Sequence, residues 1–274
     1  MKNLFLSAIS LSVLLASCSN NTIIKGGDYV SMQPNTQLHY KREALKAKKS
    51  ISVDLEVEFC NENHSKCRYF VTVKNNKNKI IEKYYETYKV DLFGDVFLTD
   101  KLYPDDTLLL PARMPLGDEI KLGNRDRYGF VQEKLLAYKL IPKIEINNNQ
   151  YNNCVNILFE TLTPADKLDL KLTTDEIACK GIGAVKKEMK MSYRPKTDNV
   201  STDDISSSVM KYASTKSIAR NMGPMSYYKP FATKKIKPDN QGFILIDTYL
   251  ETLQSISHNA SDNLGVNDFA PEDR

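Results

Sequence analysis

The sequence predicts a mainly β domain followed by one amphipathic helix. Ile51, Val53, Leu55, Val57 and Phe59 alternate with polar residues, the period of a half-buried strand. Turn clusters such as Asn75–Asn78 and Asn147-Asn148-Asn149, with Pro104, Pro111 and Pro115, cut the chain into short segments and deny long helices. Helical spacing appears once, late, at Ile246, Tyr249, Leu250, Leu253 and Ile256.

At the N-terminus an apolar run, Leu4–Ala16, follows Lys2. It is 13 residues long, suited to the apolar part of a secretory signal and short of the about 20 that span a bilayer as a helix. Leu15-Ala16-Ser17-Cys18 closes the run. It resembles the lipobox of bacterial lipoproteins. That resemblance implies a signal peptide over 1–17, a diacylglyceryl group on the Cys18 thiol, and cleavage that makes Cys18 the first mature residue. The bland alternative is an ordinary secretory signal with a chance cysteine. Ser19, rather than Asp, follows Cys18. In bacteria with two membranes the resemblance then implies the outer membrane. Residues 18–32 are polar, with Gly26 and Gly27, and read as a tether.

The β domain is expected over 33–193. Leu38, Tyr40 and Arg42 share one face of a first strand, and Lys41–Ser50 is a charged helical turn or loop. Ile51–Cys60 and Arg68–Val73 flank the polar turn Asn61–Lys66. Ile80–Leu92 is Tyr-rich with a period near two, Gly94 breaks it, and Val96–Thr99 follows. Tyr128–Leu140, with Ile144 and Ile146 beyond Pro142, then Cys154–Thr161 and Leu168–Leu172, complete the strand pattern before Glu176–Met191.

Beyond Cys18 four cysteines remain, and an even number in an exported chain suggests disulfides. A hairpin around Asn61–Lys66 brings Cys60 opposite Cys67. Cys154 and Cys179 flank a second hairpin-like segment near Ala165-Asp166. Local pairing, Cys60 with Cys67 and Cys154 with Cys179, is expected. Zinc held by Cys60, His64 and Cys67 is the competing reading. The wide spacing and an oxidising compartment count against it.

Ile144-Glu145-Ile146 with Tyr151-Asn152-Asn153-Cys154-Val155, and later Ala178-Cys179-Lys180-Gly181-Ile182-Gly183-Ala184-Val185, resemble a two-part signature of mostly uncharacterised exported bacterial β proteins. Leu110–Gly117 looks like their mid-domain turn. These proteins are similar in architecture to lipoprotein carriers. The resemblance covers about residues 29–192 and implies a curved antiparallel sheet or incompletely closed β-barrel with an apolar concave face. Past Tyr193 the composition turns to Ser, Thr, Asp and Lys, and 194–240 reads as a linker. The amphipathic helix is expected over 241–260, as a lid or docking element, and 261–274 as a disordered tail.

Cleavage before Cys18 leaves 274 − 17 = 257 residues and lowers the formal charge from +4 to +3 by removing Lys2. So small an excess makes no case for nucleic acid. Gly181-Ile182-Gly183 lacks the rest of a phosphate-binding motif and reads as a bend. His39, His64 and His258 stand outside any hydrolase or metalloprotease motif. Asp105-Asp106 and Asp203-Asp204 read as solvated loop charges, and Lys41–Lys49 as a solvated loop rather than a face for anionic lipid. The expectation is a non-enzymatic envelope protein, without catalytic, metal or cofactor residues, attached to the membrane through Cys18. Its β domain holds an acyl chain or an apolar segment of an envelope partner. The alternative is a structural or assembly component of an envelope or secretion complex.

Overall fold

A computed structural model of the chain describes residues 22–100, 103–126, 129–198, 200, 201, 203–205, 208 and 237–258. The signal segment 1–17, Cys18, most of the expected linker and the tail 261–274 lie outside the described residues.

Twelve strands form one antiparallel sheet. The first run is β2 (Thr36–Ala44), β3 (Lys49–Cys60), β4 (Lys66–Asn75), β5 (Ile80–Val90), β6 (Val96–Asp100) and β7 (Tyr103–Leu110). The second is β9 (Glu119–Asp126), β10 (Gly129–Ile146), β11 (Asn149–Pro164), β12 (Leu168–Cys179) and β13 (Gly183–Pro195). Each run is a meander. The last strand, β14 (Ile244–His258), lies between β13 and β2 and joins the two into one wall. Edge strands β7 and β9 approach one another without backbone pairing, so the barrel is nearly closed. Two-residue strands β1 (Ile23–Ile24) and β8 (Met114–Pro115) pair separately.

The wall strand β14 corrects the expected C-terminal helix. Ile246, Tyr249 and Leu253 are buried, but so are Asp247 and Glu251 between them. Asp247, Tyr249, Glu251 and Leu253 therefore form a period-two inner face, half of it charged. A charged inner face hides the strand pattern, and the remaining apolar residues fall by coincidence at helical spacing. The barrel thus reaches past 193 to include residues 244–258.

The expected tether is corrected over 22–32. These residues cross one end of the barrel, here called its floor, and pack there. The Gly26 amide donates to the Pro111 carbonyl and the Gly27 amide to that of Gly94, both at 3.2 Å, and the Gly181 amide donates to the Asp28 carbonyl at 2.8 Å. The Tyr69 hydroxyl donates to the Ser31 carbonyl. Ile24 and Ser31 are buried. A Cβ on Gly26 would lie 2.5 Å from the Pro111 oxygen, so only glycine allows this approach.

Both disulfides form as expected, Cys60–Cys67 and Cys154–Cys179, each between residues directly opposite in adjacent strands. Both lie at the floor end. Oxidised Cys60 and Cys67 exclude the zinc reading. Pro142 does not end a strand: it lies within β10, beyond the stretch that pairs with β9, where a missing donor is tolerated. Asp105-Asp106 is likewise in strand β7, not a loop. In the basic stretch, Lys41–Ala44 close β2, residues 45–48 turn, and β3 opens at Lys49, at the end of the barrel opposite the floor.

Candidate functional site

The barrel interior holds a charged ladder beside an apolar cavity. The inner face of β2 carries Leu38, Tyr40 and Arg42, all buried. Register places Arg42 opposite Glu251 on β14, Glu251 opposite Lys187 on β13, and Lys187 opposite Glu176 on β12. Four adjacent strands therefore present cation, carboxylate, cation, carboxylate in one row. Opposite charges directly across a strand pair attract, and here each neighbour is of the other sign.

Arg42 donates to Glu251 Oε2 through both Nε, at 2.7 Å, and Nη2. Lys187 Nζ lies 3.7 Å from Glu251 and 3.4 Å from Glu176. Burial pushes the Glu251 carboxyl up, but Arg42 and then Lys187 outweigh it, and its pKa ends below the ordinary value. Tyr40 is raised well above the usual phenol range, first by burial and then by Glu251 and Glu176, and its hydroxyl donates to the Ala184 carbonyl at 2.9 Å. Beyond β3, Glu86 on β5 accepts a hydrogen bond from Tyr88 at 3.0 Å. The Arg42 side chain is 4% exposed, yet its Nη1 is buried without a hydrogen-bond partner among the described residues.

A cavity of about 120 Å³ adjoins the ladder. Glu251, Lys187 and Glu176 form one side, and Leu55, Tyr88, Val96, Leu108, Leu122 and Phe159 contribute apolar surface. Tyr29, Val30 and Ser31 of the floor segment line it as well. A second chamber of about 50 Å³ shares Tyr40, Leu55, Tyr88, Lys187 and Glu251 and adds Arg42 and Glu86.

The four cysteines stand apart from this cavity and act as staples at the floor. Gly181 and Gly183 have φ of +73° and +94° and make the β12–β13 turn, in line with the bend reading. The histidines are scattered. His39 Nδ1 donates to Asp54 on the outer wall, His64 sits in the β3–β4 turn, and His258 Nδ1 is 3.2 Å from the Thr36 hydroxyl. Asp106 pairs with Lys89 and Thr99, and Asp204 with Lys167 and Ser201, all outside the cavity. Asp204 is held at about 2, chiefly by Lys167. Sequence reasoning placed Arg42 on the correct face but missed Glu251, Lys187 and Glu176. The usable signal was Glu251 two residues from both Tyr249 and Leu253.

No protein-family model matches this chain, and no curated protein does. Two solved structures match it. A "putative lipoprotein" from Parabacteroides distasonis is 12% identical with a TM-score of 0.43, covering 84% of this chain and 98% of that one. A "putative exported protein with YmcC-like fold" from Bacteroides fragilis is 10% identical with a TM-score of 0.46, with the same coverage of each chain, 84% and 98%.

Proposed function

We propose that this chain is a lipid-anchored envelope protein whose barrel is a non-enzymatic binding module. It holds one small amphiphile, or an apolar side-chain segment of an envelope partner, in the interior cavity. The carrying observation is a buried donor, Arg42 Nη1, that has no partner among the described residues and lines a small polar chamber sharing Tyr40, Leu55, Tyr88, Lys187 and Glu251 with the larger, mostly apolar cavity. A buried donor left unmade costs about 1–3 kcal/mol, and an occupant with an acceptor at that point recovers it.

Size and charge narrow the occupant. An engineered apolar cavity of about 150 Å³ takes benzene. At about 120 Å³ the larger cavity is of that order, so a full-length acyl chain exceeds it and a short chain or chain end suits it. Two cations already face two carboxylates in the ladder, and Glu86 adds a third carboxyl nearby. An anionic headgroup would meet those carboxylates, whereas an uncharged acceptor such as an ester carbonyl would not. Glu251 is tied up by Arg42 and Lys187 with its pKa held down, the opposite of what general-acid chemistry needs. The alternative of an assembly component loses its docking helix, because Ile244–His258 is a wall strand.

Two measurements test the reading. A fatty-acid label should enter the wild-type protein and not Cys18→Ala; equal labelling of both would remove the anchor. Solvent extracts of protein purified from its own envelope should release an uncharged amphiphile at near-stoichiometric amount, and much less from Leu122→Phe, which fills the chamber. Extracts free of any apolar compound, together with no uptake of an environment-sensitive naphthylamine dye, would remove the binding function.

A further inference from the structure

The β5–β6 loop carries Leu92 and Phe93, 101% and 85% exposed. They are the only adjacent pair of exposed large apolar residues among those described. The loop is ordered rather than loose: Asp91 Oδ1 accepts the amides of Phe93, Gly94 and Asp95, each at 2.9 Å. Gly94, with φ of +95°, makes the turn that only glycine takes without strain. The Ala112 amide donates to the Asp95 carboxylate and ties the loop to the segment after β7. A rigid loop presenting two apolar side chains to water has already met its ordering cost, which favours binding.

The position of the loop identifies its partner. Gly94 accepts the Gly27 amide, so the loop belongs to the floor, where the N-terminal segment enters. The first described residue, Thr22, is held there by the Leu116 amide at 2.9 Å. Gly27 is five positions after Thr22, and Cys18 is four positions before it. An extended chain spans at most about 3.6 Å per residue, so Cys18 lies within about 14 Å of Thr22. A lipid on Cys18 therefore holds the floor, and not the far end of the barrel, against the bilayer. Ile23, 40% exposed, adds a third apolar residue on the same side. Exposed Lys25, Lys66, Arg113 and Lys180 stand with exposed Glu62, Asp118 and Glu119, so this rim mixes both signs of charge around the apolar pair.

We infer that Leu92 and Phe93 insert into the headgroup–acyl boundary of the membrane that anchors the chain, and so seat the barrel floor-down on it. This rests on the lipid-anchor reading of Cys18. Leu and Phe are suited to that boundary, where apolar side chains sink about 5–10 Å.

The test uses the absence of tryptophan from the chain, which makes Phe93→Trp a single reporter. The lipidated protein is reconstituted in phosphatidylcholine vesicles whose acyl chains carry bromine near the headgroup. Tryptophan at 93 should shift to the blue and be quenched. Tyr85→Trp, on the outer wall at a residue 45% exposed, should do neither. Unquenched, water-like emission from Phe93→Trp on vesicle-bound protein overturns the inference, including the case in which the loop docks on a protein instead. The acyl label on Cys18 is scored in the same sample. Label without quenching defeats the loop alone. If protein made in its own host carries no label on Cys18, the anchor is defeated, and quenching when brominated vesicles are added to that unlabelled chain leaves the loop standing. Neither signal defeats both.

Discussion

Two charge clusters flank the same strand, one on each side of the barrel wall. Inside, Glu251 sits between Arg42 and Lys187, with side chains 6%, 4% and 12% exposed. Outside, Asp54 sits between His39 and Lys74, with side chains 30%, 44% and 33% exposed. Both start from residues directly across β2 and its neighbour and add a lysine one strand further on, Lys187 directly opposite Glu251 and Lys74 diagonal to Asp54. Lys74 Nζ is 2.6 Å from Asp54, closer than Lys187 is to Glu251 at 3.7 Å. Both carboxylates end with lowered pKa. In each, burial pushes upward first and is outweighed, by Arg42 and Lys187 inside and by Lys74 and His39 outside. Closer contacts do not mean more energy, because water screens the outer cluster and replaces any partner that is removed.

The sharpest way to break the comparison is to remove one partner on each face. Arg42→Met leaves Glu251 buried with Lys187 alone and should cost about 3–5 kcal/mol in denaturant unfolding. Arg42→Met with Glu251→Leu should recover most of that loss, because Lys187 keeps Glu176 and no unpaired carboxylate remains. A double variant as unstable as the single one would show that packing of Arg42, not charge, carries the cost.

Acid titration should produce the next effect. The folded pKa of Glu251 is below its unfolded value, near 4.5. Its contribution is therefore complete above that unfolded value and is lost as pH falls through the folded pKa, since the unfolded chain takes up the proton first. Glu251→Gln should flatten stability below about pH 4.5 and leave its slope near neutrality unchanged. Asp54→Asn has the same sign, and the least effect: under about 1 kcal/mol, with a further decrease in salt. An Asp54→Asn loss matching that of Arg42→Met would erase the difference between the faces.

The second disulfide sharpens a related contrast. Cys154→Ala with Cys179→Ala opens a loop with a sequence separation of 25, against 7 for the pair Cys60 and Cys67. The first should cost about 3 kcal/mol and the second somewhat less, measured as shifts of the unfolding midpoint.

Local pattern carried much of the fold. Alternation in Ile51–Phe59, the polar turn Asn61–Lys66 and the Asn-rich turn at 147–148 specify hairpins between chain neighbours, and hairpin register decides which cysteines meet. These are short-range matters, written in period-two burial and turn chemistry within a few residues. The local sequence around Glu251 fits both periods, a helix with Glu251 on its solvent face and a strand with Glu251 two residues from Tyr249 and from Leu253, and does not choose between them. The partner of Glu251, Arg42, lies 209 residues away, and only the closing of β14 between β13 and β2 makes burial of that charge affordable. The same is true of residues 22–32, whose polar composition suits a tether until the floor supplies acceptors for Gly26 and Gly27. Sequence alone therefore determined the strand class, the hairpins, the cysteine pairing and the lipobox resemblance. Tertiary structure alone decided the inner charge ladder, the strand nature of 244–258 and the plugged floor. In each of those the partner that satisfies a polar group comes from a distant part of the chain.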